Sequence, residues 1–392
     1  MQTNKIYIAI ATFVIPVFNI LSLKLITTTF EASAVTAFIL ITSSANILAI
    51  LIAFGNSNTV QIHWERFKHG SNSVIAAIFL LAIIIFCLGA VLAQHTHKYL
   101  MLSIMIGVYF ALIAVVKSIL QMKSAGLSYL AVTIFQTIPF FIALVIQNGT
   151  GANFAEFARI YFVLIMLFTG SLALTFVVVA NAKRAVHFSD IGNNLVMGSA
   201  FVFLSFQSIL INQFDRFLIP HLGLESSLLP YVVTAQFLSP ISLLVAIIVN
   251  ANLAKVYNAY DQDDKVSVVK NIAQMYLVFS LLCFAYIVLF IVLDIQKLLY
   301  PDIEVSTALS LVLGTALFFL GSTSINNLLV YKEQRQNHLS AWLFVCFISS
   351  VSVGYLCGSH YGLIGVAIGQ AFGYLLYFLF GIHTLFHYQR VS

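Results

Sequence analysis

Charge is what this sequence lacks. Of its 392 residues, 8% are charged: 13 acidic and 18 basic. A water-soluble domain carries about 25%, because charge coats its surface. Here 61% of residues are hydrophobic and the mean hydropathy is +1.02. No soluble fold of this length could hide so much apolar surface, so the chain falls in the membrane class. Cysteine is scarce too. Cys87, Cys283, Cys346 and Cys357 each lie inside or at the end of an apolar run. None has metal-site or redox-pair spacing, and they read as small apolar fillers. His95 and His97 stand two apart in a short loop, a pattern of interface polarity more than of chelation. No metal or other cofactor is expected. The nucleotide loop G-x-x-x-x-G-K-[ST] is missing, as are H-E-x-x-H and G-x-S-x-G. Asp215 is the only acid placed well within a helix, so no carboxylate pair serves acid–base chemistry. These absences speak against an enzyme and against ATP hydrolysis by the chain itself.

What is present is a series of long apolar runs. A membrane-crossing helix needs about 20 apolar residues, and twelve candidates can be drawn. In the first half they are 6–26, 35–54, 74–93, 99–116, 127–146 and 157–180. In the second they are 195–219, 229–250, 272–293, 307–330, 340–357 and 361–386. The first is too long for a signal-peptide core and no small-residue cleavage site follows it. The 35 Phe and 17 Tyr suit lipid and its interfaces. Lys and Arg set the orientation. With the N-terminus inside, only Lys24, Lys98, Arg159, Arg216 and Lys297 of the 18 basic residues fall outside the cytoplasmic segments. That bias predicts N-in, C-in and an even helix count. It makes the positive net charge a topology signal, not a nucleic-acid footprint.

A faint repeat suggests two halves. Phe54-Gly-Asn-Ser-Asn ends the second run, and Ile248-Val-Asn-Ala-Asn ends the eighth, 194 residues on. At the same offset Glu31 meets Glu225. The expected fold is all-α, with two six-helix bundles at 1–190 and 191–392, related by an axis along the membrane normal. Chance similarity between apolar segments is the competing explanation.

Polar side chains at membrane depth point to function, because lipid makes them costly. Ser205, Ser208, Asn212, Asp215 and Arg216 recur every three to four residues and form one stripe of the seventh helix. The first helix has a fainter stripe of Thr12, Asn19 and Ser22, with Lys24 beside it. At 1.5 Å per residue, Lys24 and Arg216 lie roughly 27 Å from their cytoplasmic ends. Lys24, Arg159 and Arg216 can line a cationic cavity for an anionic headgroup, where a guanidinium grips a phosphate with two parallel bonds. They can equally snorkel to the interface, and Arg216 can pair with Asp215. Asn326 and Asn327 are candidate cavity lining among Asn and Gln residues whose common membrane role is interhelical hydrogen bonding. Pro16, Pro139 and Pro240 lie within helices and favour kinks.

The segment Asn212-Gln-Phe-Asp-Arg-Phe-Leu-Ile-Pro-His-Leu-Gly223, followed by Pro230-Tyr-Val-Val-Thr-Ala-Gln236, resembles the seventh helix and following loop of bacterial polysaccharide-lipid flippases. The order Asp-Arg, Leu-Gly, Tyr carries the likeness. His360-Tyr-Gly-Leu-Ile-Gly-Val-Ala367 resembles the family's Tyr-Gly-x-x-Gly-x-Ala pattern. The likeness extends over the chain in helix number, halves and loop lengths. It implies an O-antigen-type flippase of the multidrug/oligosaccharidyl-lipid/polysaccharide exporter superfamily, with the fold shared by multidrug and toxin extrusion (MATE) transporters. The function it implies is carriage of an undecaprenyl-diphosphate-linked oligosaccharide from the cytoplasmic to the periplasmic leaflet of the bacterial inner membrane, by alternating access. Lys24, Arg159 and Arg216 would then contact the diphosphate or acidic sugars. Polysaccharide polymerase and chain-length proteins would be neighbours. A multidrug or metabolite antiporter of the same fold is the main rival. Ion-coupled members usually keep a carboxylate deep in the first bundle, and helices one to six hold none. A major-facilitator transporter would have a longer central loop, and a glycan polymerase a large outer loop.

Overall fold

A computed structural model describes residues 2–55, 60, 72–93, 99–123, 125–150, 153–179, 188–333 and 335–390. The described residues are helical throughout, joined by short turns. That follows from lipid as solvent: with no water to bond the backbone, each spanning segment must satisfy its own N–H and C=O groups. Among the described residues ten helical spans are long and apolar enough to cross a membrane, which makes this a multi-pass membrane protein. The chain divides into two compact units, 1–209 and 210–392. The His95/His97 pair and Asn56 and Asn58 of the repeat lie outside the described residues.

Unit 1 begins with α1 (Gln2–Thr29) and α2 (Ala32–Ala53), followed by α3 (Asn72–Ala93) and α4 (Leu100–Met122). It continues with α5 (Gly126–Phe135), α6 (Ile138–Thr150) and α7 (Phe154–Val179). The 34-residue α8 (Phe188–His221) contains the boundary between the units. The fifth sequence run is thus two helices, broken at Gln136–Thr137. Pro139 explains the break, since it has no N–H for the Phe135 carbonyl four residues back. The Tyr109 hydroxyl donates to that carbonyl at 2.7 Å. By contrast, Pro16 sits inside an unbroken α1. Tyr109→Phe should lower the thermal unfolding midpoint in detergent by the equivalent of about 1–2 kcal/mol, because it leaves a buried carbonyl unpaired. An unchanged midpoint would mean the carbonyl finds another donor.

One end of unit 1 is held by aromatic rings. Phe30 meets Phe154 and Phe157, and Phe140 meets Phe38, Phe157 and Tyr161, with centroids 5.3–6.0 Å apart. Edge contacts of this kind add to the area buried. At the other end of α2 the chain turns through Phe54 and Gly55, both with positive φ. Gly55 lies against the Gly198 backbone of α8, and a Cβ on either would clash. Small residues let membrane helices approach this closely.

Unit 2 holds α9 (Leu228–Leu238), α10 (Pro240–Asp261), α11 (Lys265–Val292) and the short α12 (Ile295–Leu299). It ends with α13 (Thr307–Lys332), α14 (Gln336–Tyr361) and α15 (Leu363–Arg390). The eighth run is broken like the fifth: Pro240 opens α10, and the Tyr286 hydroxyl donates to the Phe237 carbonyl near the break. Helices α14 and α15 pack through glycines. Gly369 abuts the Gly354 backbone, Gly365 the Cys357 carbonyl and Gly373 Ser350. The Ser350 hydroxyl donates to the Gly369 carbonyl at 2.8 Å. Of the Gly-x-x-Gly pattern at 362–365, Gly365 serves backbone contact, whereas Gly362 takes a positive φ where α14 ends. Along α11, Leu277, Leu281, Phe284, Val288 and Val292 are exposed on one face, as a lipid-facing stripe must be.

Candidate functional site

The polar stripe of α8 reaches into the interior of unit 2 and is completed there by α9 and α15. Asp215 is buried at 2% exposure. Its carboxylate accepts the Arg216 backbone N–H at 2.8 Å and lies within hydrogen-bonding reach of the Tyr231 hydroxyl. The Arg216 guanidinium, half-buried, contributes opposite charge beside it. Tyr231 donates its one hydroxyl proton to Gln370 Oε1 at 3.2 Å, and the Gln370 amide lies 3.5 Å from the Tyr374 hydroxyl. Tyr374 donates to Asn212 Oδ1, closing the path back to α8. A chain of hydroxyls, amides and one carboxylate thus joins Asp215 to Asn212 through residues that are almost entirely buried. Such a network fixes helix register, because every member would be costly to leave unpaired.

Asn326 and Asn327 of α13 meet the same side of α15. Asn327 Nδ2 donates to the Tyr377 hydroxyl at 2.9 Å, and Asn326 Nδ2 to the Phe378 carbonyl at 3.2 Å. Tyr276 of α11 donates to Asn326 Oδ1, and the Asn326 side chain fills the space beside Gly381. Both asparagines thus act as interhelical ties. The sequence places the stripe of the seventh helix and the asparagine pair of the tenth far apart. The structure links both to α15 through Gln370, Tyr374, Tyr377 and Phe378. Their spacing of four and three is the signal that could have found them. Tyr374 and Tyr377 escape a reading of the sequence because apolar neighbours surround them.

A second cluster lies at the end of unit 2 where α10, α11, α13 and α15 meet. The Lys332 ammonium pairs with Asp261 at 2.7 Å and sits over the rings of Tyr257 and Tyr260, 4.8 and 5.4 Å from their centroids. Tyr260 stacks on Tyr388, and Lys265 lies over the Tyr388 ring at 5.5 Å. Two cations and two stacked rings thus draw the helix ends together. Tyr260 donates to Glu333 at 2.8 Å. Burial, then the hydrogen bond and charge of Glu333, push its hydroxyl up to about 12, so it remains a donor at any physiological pH.

In unit 1 the candidate residues are not gathered in this way. Lys24 is half-buried near the end of α1, where its carbonyl accepts from the Thr27 hydroxyl at 2.7 Å. Asn19 is exposed on the same helix. Arg159 is exposed on α7, on the face of Val163 and Met166 and opposite buried Phe157, Tyr161 and Ile165. Another cation does point inward. Lys117, assigned to a cytoplasmic segment by the charge rule, is 8% exposed inside unit 1 and donates to Gln136 Oε1 at 2.9 Å.

The sequence matches no family model and no curated protein. Solved structures resemble the chain over nearly its whole length. An inward-facing multidrug resistance MATE family transporter of the MOP superfamily is 15% identical, with 98% of this chain and 99% of that one covered and a TM-score of 0.67. An outward-facing one is 12% identical, with coverage of 98% and 95% and a TM-score of 0.62. A MOP superfamily transporter from Pyrococcus furiosus is 13% identical, with the same coverage and TM-score. This chain therefore has the fold of the MATE transporters of the MOP superfamily.

Proposed function

We propose that the protein is a flippase that carries an undecaprenyl-diphosphate-linked oligosaccharide across the bacterial inner membrane by alternating access. The transporter fold supports carriage, and solved proteins of this fold include inward-facing and outward-facing forms. The observation that carries the substrate class is the half-buried Arg216 held beside buried Asp215 in a fixed polar network. A diphosphate leaving water requires fixed counter-charge, because an unpaired anion in low dielectric is prohibitive. Arg216 supplies it in unit 2, and Lys24 and Arg159 are the candidate cations of unit 1. The sugars travel with the headgroup while the polyprenyl tail stays in lipid. With both termini cytoplasmic, loading is from the inner leaflet, and polymerase and chain-length proteins receive the product.

The second reading is an ion-coupled multidrug or metabolite antiporter, favoured by the solved neighbours that are multidrug resistance transporters. In that case Asp215 would be the coupling carboxylate, since no acid lies deep in the helices of unit 1. Complementation separates the two. In a bacterium that lacks its own O-antigen flippase but makes the lipid-linked repeat unit, the protein should restore surface polysaccharide. The triple substitution of Lys24, Arg159 and Arg216 by Ala should abolish that restoration at equal membrane expression. Intact export by the triple variant would sink the site assignment. Failure of the unmodified chain with several repeat units would favour the antiporter.

A further inference from the structure

Lys117 is a membrane-depth cation with no part in the flippase reading. It lies on α4 five residues before the end of that helix, yet its side chain does not turn to the nearby surface. Long helical side chains lean toward the helix N-terminus, which for Lys117 is the direction of Leu100 and the bundle interior. The ammonium reaches Gln136, ten residues into the fifth span, or about 15 Å from its start and midway through a core about 30 Å thick. It also sits 5.8 Å from the centre of the Tyr129 ring.

Both partners are neutral. Helices α2, α3, α5 and α7 pack against α4. Among the described residues of these helices the only acid is Glu156, an exposed residue at the start of α7. That start lies at the far end of α4, because the Tyr99 ring that precedes α4 meets Phe154. The remaining titratable groups of these helices are Cys87, Tyr129, Arg159 and Tyr161, with Tyr109 on α4 itself. None supplies a negative counter-charge. An ammonium has three donors, and Gln136 Oε1 occupies one. Among the described residues this buried cation has only neutral company, which is expensive, and an anion whose oxygens reach the ammonium relieves it.

We propose that Lys117, held at rest by Gln136, is a phosphoryl-binding site in unit 1, on the loading side of the membrane and separate from Lys24 and Arg216. Lysine binds phosphate as a point charge. At rest the Gln136 amide and the Tyr129 face hold it, and phosphoryl oxygens take their place on loading. The site adjoins the break between α5 and α6, where a side chain, Tyr109, holds the Phe135 carbonyl. The two helix segments can therefore part there without disrupting a continuous hydrogen-bond ladder. The inference rests on the lipid-diphosphate reading of function.

The test is binding to the purified full-length protein in detergent, with undecaprenyl diphosphate, inorganic diphosphate and undecaprenol as probes. Lys117→Met should weaken undecaprenyl diphosphate about ten- to a hundredfold, the range for losing a hydrogen bond to a charged group. Inorganic diphosphate should compete with the lipid, and its binding should fall in the same variant. If only the lipid responds to Lys117→Met, the recognised anion is lipid-bound; if both respond, the phosphoryl group suffices. Undecaprenol should be indifferent to the substitution. Gln136→Ala frees the ammonium and should leave diphosphate binding unchanged or tighter. Unaltered binding by folded Lys117→Met overturns the site while leaving the flippase reading intact. Should that variant not fold, a loss of binding in Gln136→Ala as large as the predicted one overturns it instead, since the pair would then be a structural strut. If the unmodified protein binds no diphosphate, both readings fall.

Discussion

Gly369→Leu should leave almost no folded protein. In α15 this glycine lies against the Gly354 backbone and the Ser350 carbonyl of α14. Neither is a flexible side chain that could yield. Overpacking a well-filled core typically costs about 1–3 kcal/mol when side chains can shift. Against rigid backbone the cost is expected at or above the top of that range. It would also break the Ser350–Gly369 hydrogen bond. Gly170→Leu is the control, since nothing lies within 4 Å of a Cβ there. Fluorescence-detected size exclusion of tagged variants in mild detergent reads both. A monodisperse peak of normal height for Gly369→Leu would mean that α14 and α15 can separate without loss of the unit.

Asp215→Ala should be the most damaging change to the polar network. It removes the carboxylate beside Arg216 and a hydrogen-bonding partner of buried Tyr231. Breaking a buried charge pair from one side costs about 3–5 kcal/mol, and the half-exposed guanidinium places this one near the lower figure. Removing both charges is a different experiment. Asp215→Asn combined with Arg216→Gln leaves no uncompensated charge and should recover most of the thermal stability. On the flippase reading export should nevertheless be lost, because a diphosphate would then lack the Arg216 guanidinium. Recovery of both stability and export in the double variant would reduce the pair to a structural element.

Helices five and eight illustrate how far local chemistry carries. Pro139 and Pro240 lack an N–H, so a disturbance near each is legible in the residues themselves, but Pro16 lacks one too and leaves α1 unbroken. What the sequence does not say is which distant donors reach the carbonyls at the breaks. Tyr109 and Tyr286 come from other helices, and no spacing rule relates a donor to an acceptor on a different segment. The same limit governs the candidate site. Periodicity identifies the stripe Asn212, Asp215, Arg216 as one face of a helix, and the asparagine pair of α13 as polar. That both meet α15 depends on packing between segments distant in sequence.

The cations mark the boundary most sharply. Composition alone determines a membrane protein, because at 8% charge only lipid can be its solvent, and apolar runs of about 20 residues determine that its spans are helices. Counting Lys and Arg by segment is enough to propose an orientation. It cannot tell Lys117 from the cations around it, since that rule sees distance from a helix end and not the direction of a side chain. The tertiary structure decides that Lys117 turns inward to Gln136, that Arg159 stays on an exposed face, and that Asn326 and Asn327 tie helices together. A helix reports its own faces in its sequence, whereas the identity of what covers each face is set by every other helix in the unit.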